Sequence, residues 1–126
     1  MVTDPIGDML IRITNASKVG KEHAHVPFSN LKAAVAKVLQ QEGYISGVEN
    51  KNGNLALTLS YTNKQPKVQG AKRISKPSRR IYMGVRDVRP VKSGYGLLVL
   101  STSAGVVSGK EARAKRVGGE VLFEIW

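Results

Sequence analysis

Apolar residues in the first forty positions recur at the spacing of two amphipathic helices. The first helix is predicted to start at Pro5, behind an N-cap at Thr3 or Asp4. Ser29 can cap the second helix, and Gly43 ends it. The core positions predicted from this spacing are Ile6, Met9, Leu10, Ile13, Leu31, Val35, Val38 and Leu39.

Alternating apolar and polar positions predict strands in the rest of the chain. The candidates are His23–Val26, Tyr44–Val48, Leu55–Tyr61, Arg80–Val85, Gly96–Thr102 and Glu120–Trp126. The second and third candidates, separated by residues 49–54, are predicted to form a hairpin. A short helix is predicted after the capping box of Ser108 and Glu111, with Gly118 and Gly119 ending it.

These elements predict an α+β fold with two small lobes. Residues 1–62 form an α/β N-terminal lobe with two helices on a short sheet. Residues 63–79 are a basic connector, and residues 80–126 form a β-rich C-terminal lobe with one short helix.

The composition of the chain is that of a small folded protein. It has 126 residues, 41% hydrophobic and 23% charged, which suits one domain or two small lobes around a buried core. The absence of cysteine excludes disulfides, cysteine-ligated zinc and thiol nucleophiles. The start of the chain lacks the pattern of a signal peptide, and no apolar stretch reaches membrane-spanning length. We therefore expect a soluble, unprocessed protein with no membrane partner.

Positive charge is concentrated in one segment. Of the formal net charge of +11, residues 64–92 carry +9, from ten basic residues and Asp87, so the remainder carries only +2. This concentration favours a polyanionic partner over a basic face that only aids solubility. Thr62–Arg80 has few large apolar side chains, and we predict a long basic loop there.

Signatures of enzymes are weak in this chain. His23 and His25 could share a face of a strand and hold a metal, but no third ligand is suggested. Ser29 and Lys32 have the spacing of some acyl-enzymes, although the serine is already needed as a helix cap. No phosphate-binding loop or dinucleotide-binding motif occurs. We predict a protein without catalytic activity, metal, cofactor or small-molecule substrate.

A cluster of hydroxyl residues follows an apolar strand near residue 100. Ser101, Thr102 and Ser103 come directly after it, and Gly105 permits close approach of the backbone. The minor groove of A-form RNA presents 2′-hydroxyls and base edges, with which short alcohol side chains can both donate and accept hydrogen bonds. From spacing alone, a turn rich in serine and threonine explains the cluster equally well.

Five motifs occur in a characteristic order along the chain. They are DPIGDMLIRITNA at residues 4–16, SKP at 75–77, RRIY at 79–82, STSAGV at 101–106 and GGE at 118–120. Together they span nearly the whole sequence, which resembles the family of small-subunit ribosomal protein eight in its bacterial form. The resemblance implies a two-lobed protein on the small ribosomal subunit of the bacterial cytoplasm, an organelle ribosome remaining an open alternative.

The resemblance also implies the partners and the role. The family binds the central domain of small-subunit ribosomal RNA early in assembly, mainly through the C-terminal lobe, beside neighbouring small-subunit proteins. In some bacteria it also represses its own operon messenger. No cofactor is implied.

Residues matching the family's RNA-binding positions lie in both predicted lobes. In the C-terminal lobe they are Ser101, Thr102, Ser103, Gly105, Tyr82, Gly119 and Glu120. In the N-terminal lobe, contacts to phosphates and sugars of a second RNA segment are implied for Thr3, Arg12, Asn15 and Lys32. The chain departs from the family at Ala104, where lysine is common, and we expect Lys76, Arg79 or Arg80 to offset that missing charge.

Simpler interpretations remain for several of these residues. Tyr82 alternates with Ile81 and Met83, as a core residue of a strand would, and Arg12 and Asn15 suit a solvated helix face. The alternative function is that of a general basic nucleic-acid-binding protein without sequence-specific readout, in which residues 64–92 bind and the serines only form a turn.

Overall fold

Three helices and ten strands form the part of the chain described by a computed structural model, residues 4–84, 86 and 96–126. The helices are α1 (Pro5–Lys18), α2 (Asn30–Gln41) and α3 (Gly109–Lys115). The strands are β1 (His23–Pro27), β2 (Ile45–Lys51), β3 (Asn54–Leu59), β4 (Tyr61–Thr62), β5 (Gln65–Pro66), β6 (Ala71–Arg73), β7 (Tyr82–Met83), β8 (Leu97–Thr102), β9 (Gly105–Ser108) and β10 (Gly119–Ile125). The predicted α+β class is confirmed.

The predicted N-terminal hairpin is present and has a tighter turn than expected. β2 and β3 pair in antiparallel register and are joined by Asn52 and Gly53, both at positive φ (52° and 84°). This backbone twist suits a two-residue hairpin turn, so the strands extend to Lys51 and resume at Asn54. β1 pairs with the other edge of β3 and completes a three-stranded sheet.

Both predicted helices form, but the apolar face predicted for α2 is partly wrong. The core positions predicted on α1 are all buried, with Pro5 in the first turn. The hydroxyl of Ser29 caps α2 by accepting from the Lys32 N–H at 3.1 Å. However, Leu31 is 42% exposed, whereas Lys32 is 8% exposed and Ala36 is fully buried. The small Ala36 lets α2 approach the core on that side, and the aliphatic stem of a lysine can line apolar surface.

The C-terminal sheet has the strand order β6-β10-β8-β9, with β7 also pairing with β10. β8 and β10 confirm two of the predicted strands. The predicted strand Arg80–Val85 is wrong for the most part, because only Tyr82 and Met83 pair with β10, and Val85 lies outside the described residues. The register between β10 and β8 shifts between Val121 and Phe123, so Leu122 is an extra residue in β10.

The expectation of a long loop at Thr62–Arg80 is also wrong. β6 lies within it and pairs with the end of β10. Val68 is 4% exposed and belongs to the main core, and Ser75 is fully buried. An edge strand needs few apolar side chains, because its backbone hydrogen bonds attach it to the sheet. The boundaries at 1–62, 63–79 and 80–126 stay a prediction.

The hydrophobic core crosses those predicted boundaries. One cluster joins side chains of α1, α2 and β3 to Val99, Phe123 and Ile125 of the C-terminal sheet. A second cluster packs Leu98 and Leu100 of β8 under Ala112 of α3. The C-terminal sheet therefore lies between the N-terminal elements on one face and α3 on the other.

Of the capping box predicted at the start of α3, the serine half is present and the glutamate half is not. The Ser108 hydroxyl accepts from the Glu111 N–H at 3.1 Å, while the Glu111 carboxylate lies 3.1 Å from Lys115 Nζ. The helix ends at Lys115, and the C-cap residue Arg116 has a left-handed φ of 55°. Gly118 and Gly119 therefore do not end it, and their role lies in the sheet.

An ion pair connects the start of α1 to the edge strand of the C-terminal sheet. Arg73 Nε and Nη2 donate to the Asp4 carboxylate at 3.0–3.2 Å, and both side chains are largely shielded from solvent. Burial of this carboxyl raises its pKa, but the hydrogen bonds from Arg73 and the Gly7 backbone, together with the charges of Arg73 and Lys76, outweigh burial and hold the pKa of Asp4 below its ordinary value.

This ion pair predicts a loss of stability in acid. Because the folded state binds the Asp4 proton less tightly than the unfolded state, the contribution is complete above about pH 4 and is lost as pH falls through the lower folded pKa. We expect Asp4→Asn to reduce the free energy of unfolding by about 1–3 kcal/mol at neutral pH. In urea titrations across pH, the gap between wild type and variant should close in acid; a constant gap would contradict this account.

Candidate nucleic-acid interface

The hydroxyl cluster forms the tip of the hairpin between β8 and β9, named here the hydroxyl hairpin (Ser101–Gly105). Thr102 pairs with Gly105, leaving Ser103 and Ala104 in the turn, and Gly105 supplies the positive φ of 101°. The Thr102 hydroxyl donates to the Gly105 carbonyl at 2.8 Å and accepts from the Ala104 N–H at 3.0 Å. The Thr102 hydroxyl thus holds the turn itself.

The other two hydroxyls are available to a ligand. Ser103 is exposed and Ser101 is half-buried. Within residues 4–84, 86 and 96–126, neither hydroxyl has a hydrogen-bond partner. Both can therefore donate and accept towards an RNA without first breaking an internal bond.

Strand register places Tyr82, Glu120 and Ser101 in one row. Glu120 of β10 pairs with Tyr82 of β7 on one side and with Ser101 of β8 on the other. Directly paired residues of antiparallel strands project to the same face. Along β8, Leu97 and Val99 face the main core and Leu98 faces the cluster under α3, so alternation puts this row on the main-core face. Tyr82, 68% exposed, is a surface side chain, so the interpretation of it as a core residue is wrong.

Two glycines allow the strands to meet at this row. A Cβ placed on Gly119 would collide with the carbonyl oxygen of Ser101, and one on Gly118 would collide with that of Met83. The lack of a side chain at Gly119 thus lets the backbones of β10 and β8 lie close together at this site.

A buried serine links the basic segment to Glu120. The fully buried Ser75 donates through Oγ to Glu120 Oε2 at 2.5 Å and accepts from the Ile81 N–H at 3.1 Å. Arg80 Nη1 donates to both oxygens of Glu120 at 3.1 and 3.2 Å. The Glu120 side chain is only 14% exposed, so this carboxylate holds Arg80 and does not lie open to a polyanion.

Two further cations lie on the turn before Arg80, named here the basic turn (Lys76–Arg79). Lys76 and Arg79 exchange both backbone hydrogen bonds, at 2.9 and 3.0 Å, and both side chains are exposed. The structure therefore places two of the predicted cations, Lys76 and Arg79, on the segment that precedes Tyr82. Ser75 appeared in the sequence only as part of a motif, and its role could not be read without the fold.

The predicted N-terminal site residues do not form one group. Thr3 lies outside the described residues, and Lys32 is 8% exposed, a poor position for contact with RNA. Arg12 and Asn15 are exposed on α1 and line a groove beside β1. Arg12 forms an ion pair with Asp8 one helical turn away, with Nε and Oδ2 2.9 Å apart.

The residues that the structure describes lack two kinds of feature. They contain no group of three or more His, Asp or Glu side chains placed to hold a metal ion. Across the same residues, no helix has the length and apolarity needed to span a membrane.

Comparison with known proteins identifies similar chains over the full length. The family described as Ribosomal protein S8 matches residues 4–126. The chain is 47% identical over 126 residues to "Small ribosomal subunit protein uS8" of Nitratidesulfovibrio vulgaris strain Hildenborough, covering all of both chains. It is 48% identical over 129 positions to the protein of that name from Acetivibrio thermocellus, covering 98% of each chain, and 46% identical over 134 positions to that of Fervidobacterium nodosum, covering all of both.

Proposed function

The chain belongs to the ribosomal protein S8 family, and from this membership we propose that it is a structural constituent of the small ribosomal subunit that binds ribosomal RNA directly. The family is structural and non-enzymatic, so the chain is not an enzyme. The bacterial relatives support a place on the ribosome in a bacterial cytoplasm, with ribosomal RNA and neighbouring ribosomal proteins as partners.

The observation that carries the proposal is the arrangement around the row of Tyr82, Glu120 and Ser101. An exposed aromatic ring lies two strands away from a free serine hydroxyl, and the tip of the hydroxyl hairpin is adjacent. An aromatic side chain stacks on bases or packs on sugars, and hydroxyls pair with 2′-hydroxyls and base edges. The basic turn and Arg80 supply phosphate contacts beside them.

Cations and hydroxyls have different roles in this proposal. Lys76, Arg79 and Arg80 attract any polyanion, since phosphate contacts carry no sequence information. Ser101 and Ser103 discriminate, because their short side chains reach only an RNA whose groove fits the hairpin. Thr102 and Gly105 maintain the turn. Gly119 lets β10 lie close to β8, and Glu120 holds Arg80 in place.

We also propose which RNA segments the protein binds. Following the family resemblance, we propose the central domain of small-subunit ribosomal RNA as the binding site, and the protein's own operon messenger as a second ligand that mimics it. Chemical footprinting of the full-length RNA with the purified protein tests this, because specific recognition protects one compact patch whereas charge-driven coating protects many.

Removing one free hydroxyl should weaken specific binding. We expect Ser103→Ala to lower affinity for the cognate RNA by about 1–3 kcal/mol, because the RNA group facing it loses its partner, with little change for unrelated RNA. Filter binding at fixed salt measures this. Ser46→Ala, an exposed serine of the N-terminal sheet, is the matched control.

Charge removal distinguishes this function from general binding. Arg79→Ala should weaken all RNAs alike and reduce the slope of log affinity against log salt by about one. A silent Ser103→Ala, together with equal affinity for duplex DNA and structured RNA at about 0.2 M salt, would favour the general nucleic-acid-binding protein instead.

A further inference from the structure

The segment that carries the basic turn, residues 75–81, is attached to β10 at both of its ends. The Ser75 N–H donates to the Val121 carbonyl at 3.1 Å, and the Val121 N–H donates to the Ile81 carbonyl at 2.9 Å. Both ends of the segment therefore meet at one residue of the sheet. How firmly these ends are held together determines where the cations between them lie.

The hydroxyl of Ser75 joins the two ends directly. Its Oγ accepts from the Ile81 N–H at 3.1 Å and donates to Glu120 Oε2 at 2.5 Å. The same carboxylate accepts from Arg80 Nη1 at 3.1 and 3.2 Å. Ser75 has no exposed surface, so solvent does not reach its side chain to replace a lost bond. One buried hydroxyl thus connects the ends of the segment to the carboxylate that holds Arg80.

The groups that this hydroxyl holds end at the surface. The side chain of Arg80 is 56% exposed, and Ile81 immediately precedes the exposed Tyr82. Strand β7 consists of Tyr82 and Met83 alone, and so short a pairing gives the ring little restraint of its own. The bonds of Ser75 therefore supply much of the restraint on both side chains.

Restraint of Arg80 and Tyr82 matters for selectivity more than for attraction. A cation that moves freely can follow phosphates of any nucleic acid, whereas one with a fixed position contacts phosphate only where the rest of the surface also fits. Fixing side chains before binding also reduces the entropy lost on binding. In addition, the charge of Glu120 offsets that of Arg80 and limits its attraction to unrelated polyanions.

We propose that Ser75 is a positioning residue that determines RNA selectivity, because its hydroxyl holds Arg80 and Tyr82 in the arrangement that fits the RNA recognised by the hydroxyl hairpin. Ser75 is buried and acts only through these two residues. The inference rests on the proposed function, since it takes the ligand to be a structured RNA. The family resemblance includes Ser75 in a motif and implies no role for it.

The first test compares two RNAs on the variant Ser75→Ala. Affinity for a bacterial small-subunit ribosomal RNA transcript should fall about tenfold, the effect of losing one well-placed hydrogen bond. Affinity for a structured RNA of unrelated sequence should change less than about twofold, because every cation is still present. Filter binding at fixed salt gives the ratio of the two affinities. An unchanged ratio would overturn the inference.

Ser108→Ala is the matched control for loss of stability. Ser108 is also buried in the C-terminal sheet, and its hydroxyl accepts from the Glu111 N–H on the side of α3. Urea titrations should show that both substitutions destabilise the fold, but only Ser75→Ala should lower the affinity ratio. Exchange of the Ile81 amide hydrogen should accelerate in Ser75→Ala alone. An equal fall of the ratio in Ser108→Ala would show that destabilisation is the cause and would contradict a positioning role.

A second variant, Glu120→Gln, tests the network without changing the buried serine. Loss of the negative charge releases Arg80, so unrelated RNA should bind more tightly, with a salt slope steeper by about one. The affinity ratio should fall, because Arg80 is no longer fixed. General loss of stability would not strengthen binding to any RNA. Weaker binding to both RNAs at a constant ratio would count against the inference.

A double-mutant cycle tests whether Ser75 acts through Tyr82. The variant Ser75→Ala with Tyr82→Ala should lose less affinity for the ribosomal RNA transcript than the product of the two single losses, since a ring that is absent cannot be misplaced. A loss equal to the product would show that the two residues act independently.

Failure of this inference differs from failure of the proposed function. If Ser103→Ala weakens binding to the ribosomal RNA while Ser75→Ala leaves the affinity ratio unchanged, only the positioning role is wrong. If Ser103→Ala is silent and duplex DNA competes equally with RNA, the proposed RNA recognition is wrong, and the positioning role with it.

Discussion

Gly119→Ala is expected to lower the free energy of unfolding by about 3 kcal/mol and to reduce RNA affinity at the same time. The added methyl group would collide with the Ser101 carbonyl oxygen and approach Thr102 Cγ2 to 3.0 Å. Because both atoms belong to the paired strand β8, relief requires the strands to separate at the residues that begin the hydroxyl hairpin.

Gly47→Ala is the matched control for this prediction. Gly47 also lies in a strand, but a Cβ there would meet Thr58 Oγ1 at 3.4 Å, which is close to ordinary contact. Urea titrations should shift the midpoint for Gly119→Ala and leave it nearly unchanged for Gly47→Ala, at constant slope. Equal midpoints would show that β8 and β10 are not closely apposed at Gly119.

Phe123→Ala is expected to cost about 3–5 kcal/mol, the range for truncating a large buried aromatic side chain. Phe123 has no exposed surface and belongs to the cluster that joins α1, α2 and β3 to the C-terminal sheet. Phe28→Ala, at a position 41% exposed, is the control and should cost far less.

The same variant tests whether the two predicted lobes unfold separately. Fluorescence of Trp126 reports on the C-terminal sheet, and far-UV circular dichroism reports mainly on α1 and α2. Since one core connects them, the two signals should shift together on Phe123→Ala. Separate transitions, with only the fluorescence signal moved, would show independent lobes.

Much of the candidate site could be predicted because the motif order identified the family, yet several roles could not. Glu120 matches a family position, but only the fold shows that its carboxylate is engaged by Ser75 and Arg80. Thr102 stands between two serines of similar chemistry, and its hydroxyl is the one used by the turn. Lys32 matches a family position for RNA contact, but packing of α2 leaves it only 8% exposed.

The sequence by itself determined the features that depend on near neighbours. The caps at Ser29 and Ser108, the periodicity of α1, the N-terminal hairpin and the concentration of charge in residues 64–92 can all be seen without a fold, since a cap or a helical face involves residues three or four apart.

Only the tertiary structure decided which distant segments meet. β6 joins β10 across about fifty residues, Ser75 reaches Glu120, and Tyr82, Glu120 and Ser101 align through strand register. These contacts depend on the whole core, because strand pairing places a residue by the register of its partner, and a shift of one position would turn each side chain to the other face.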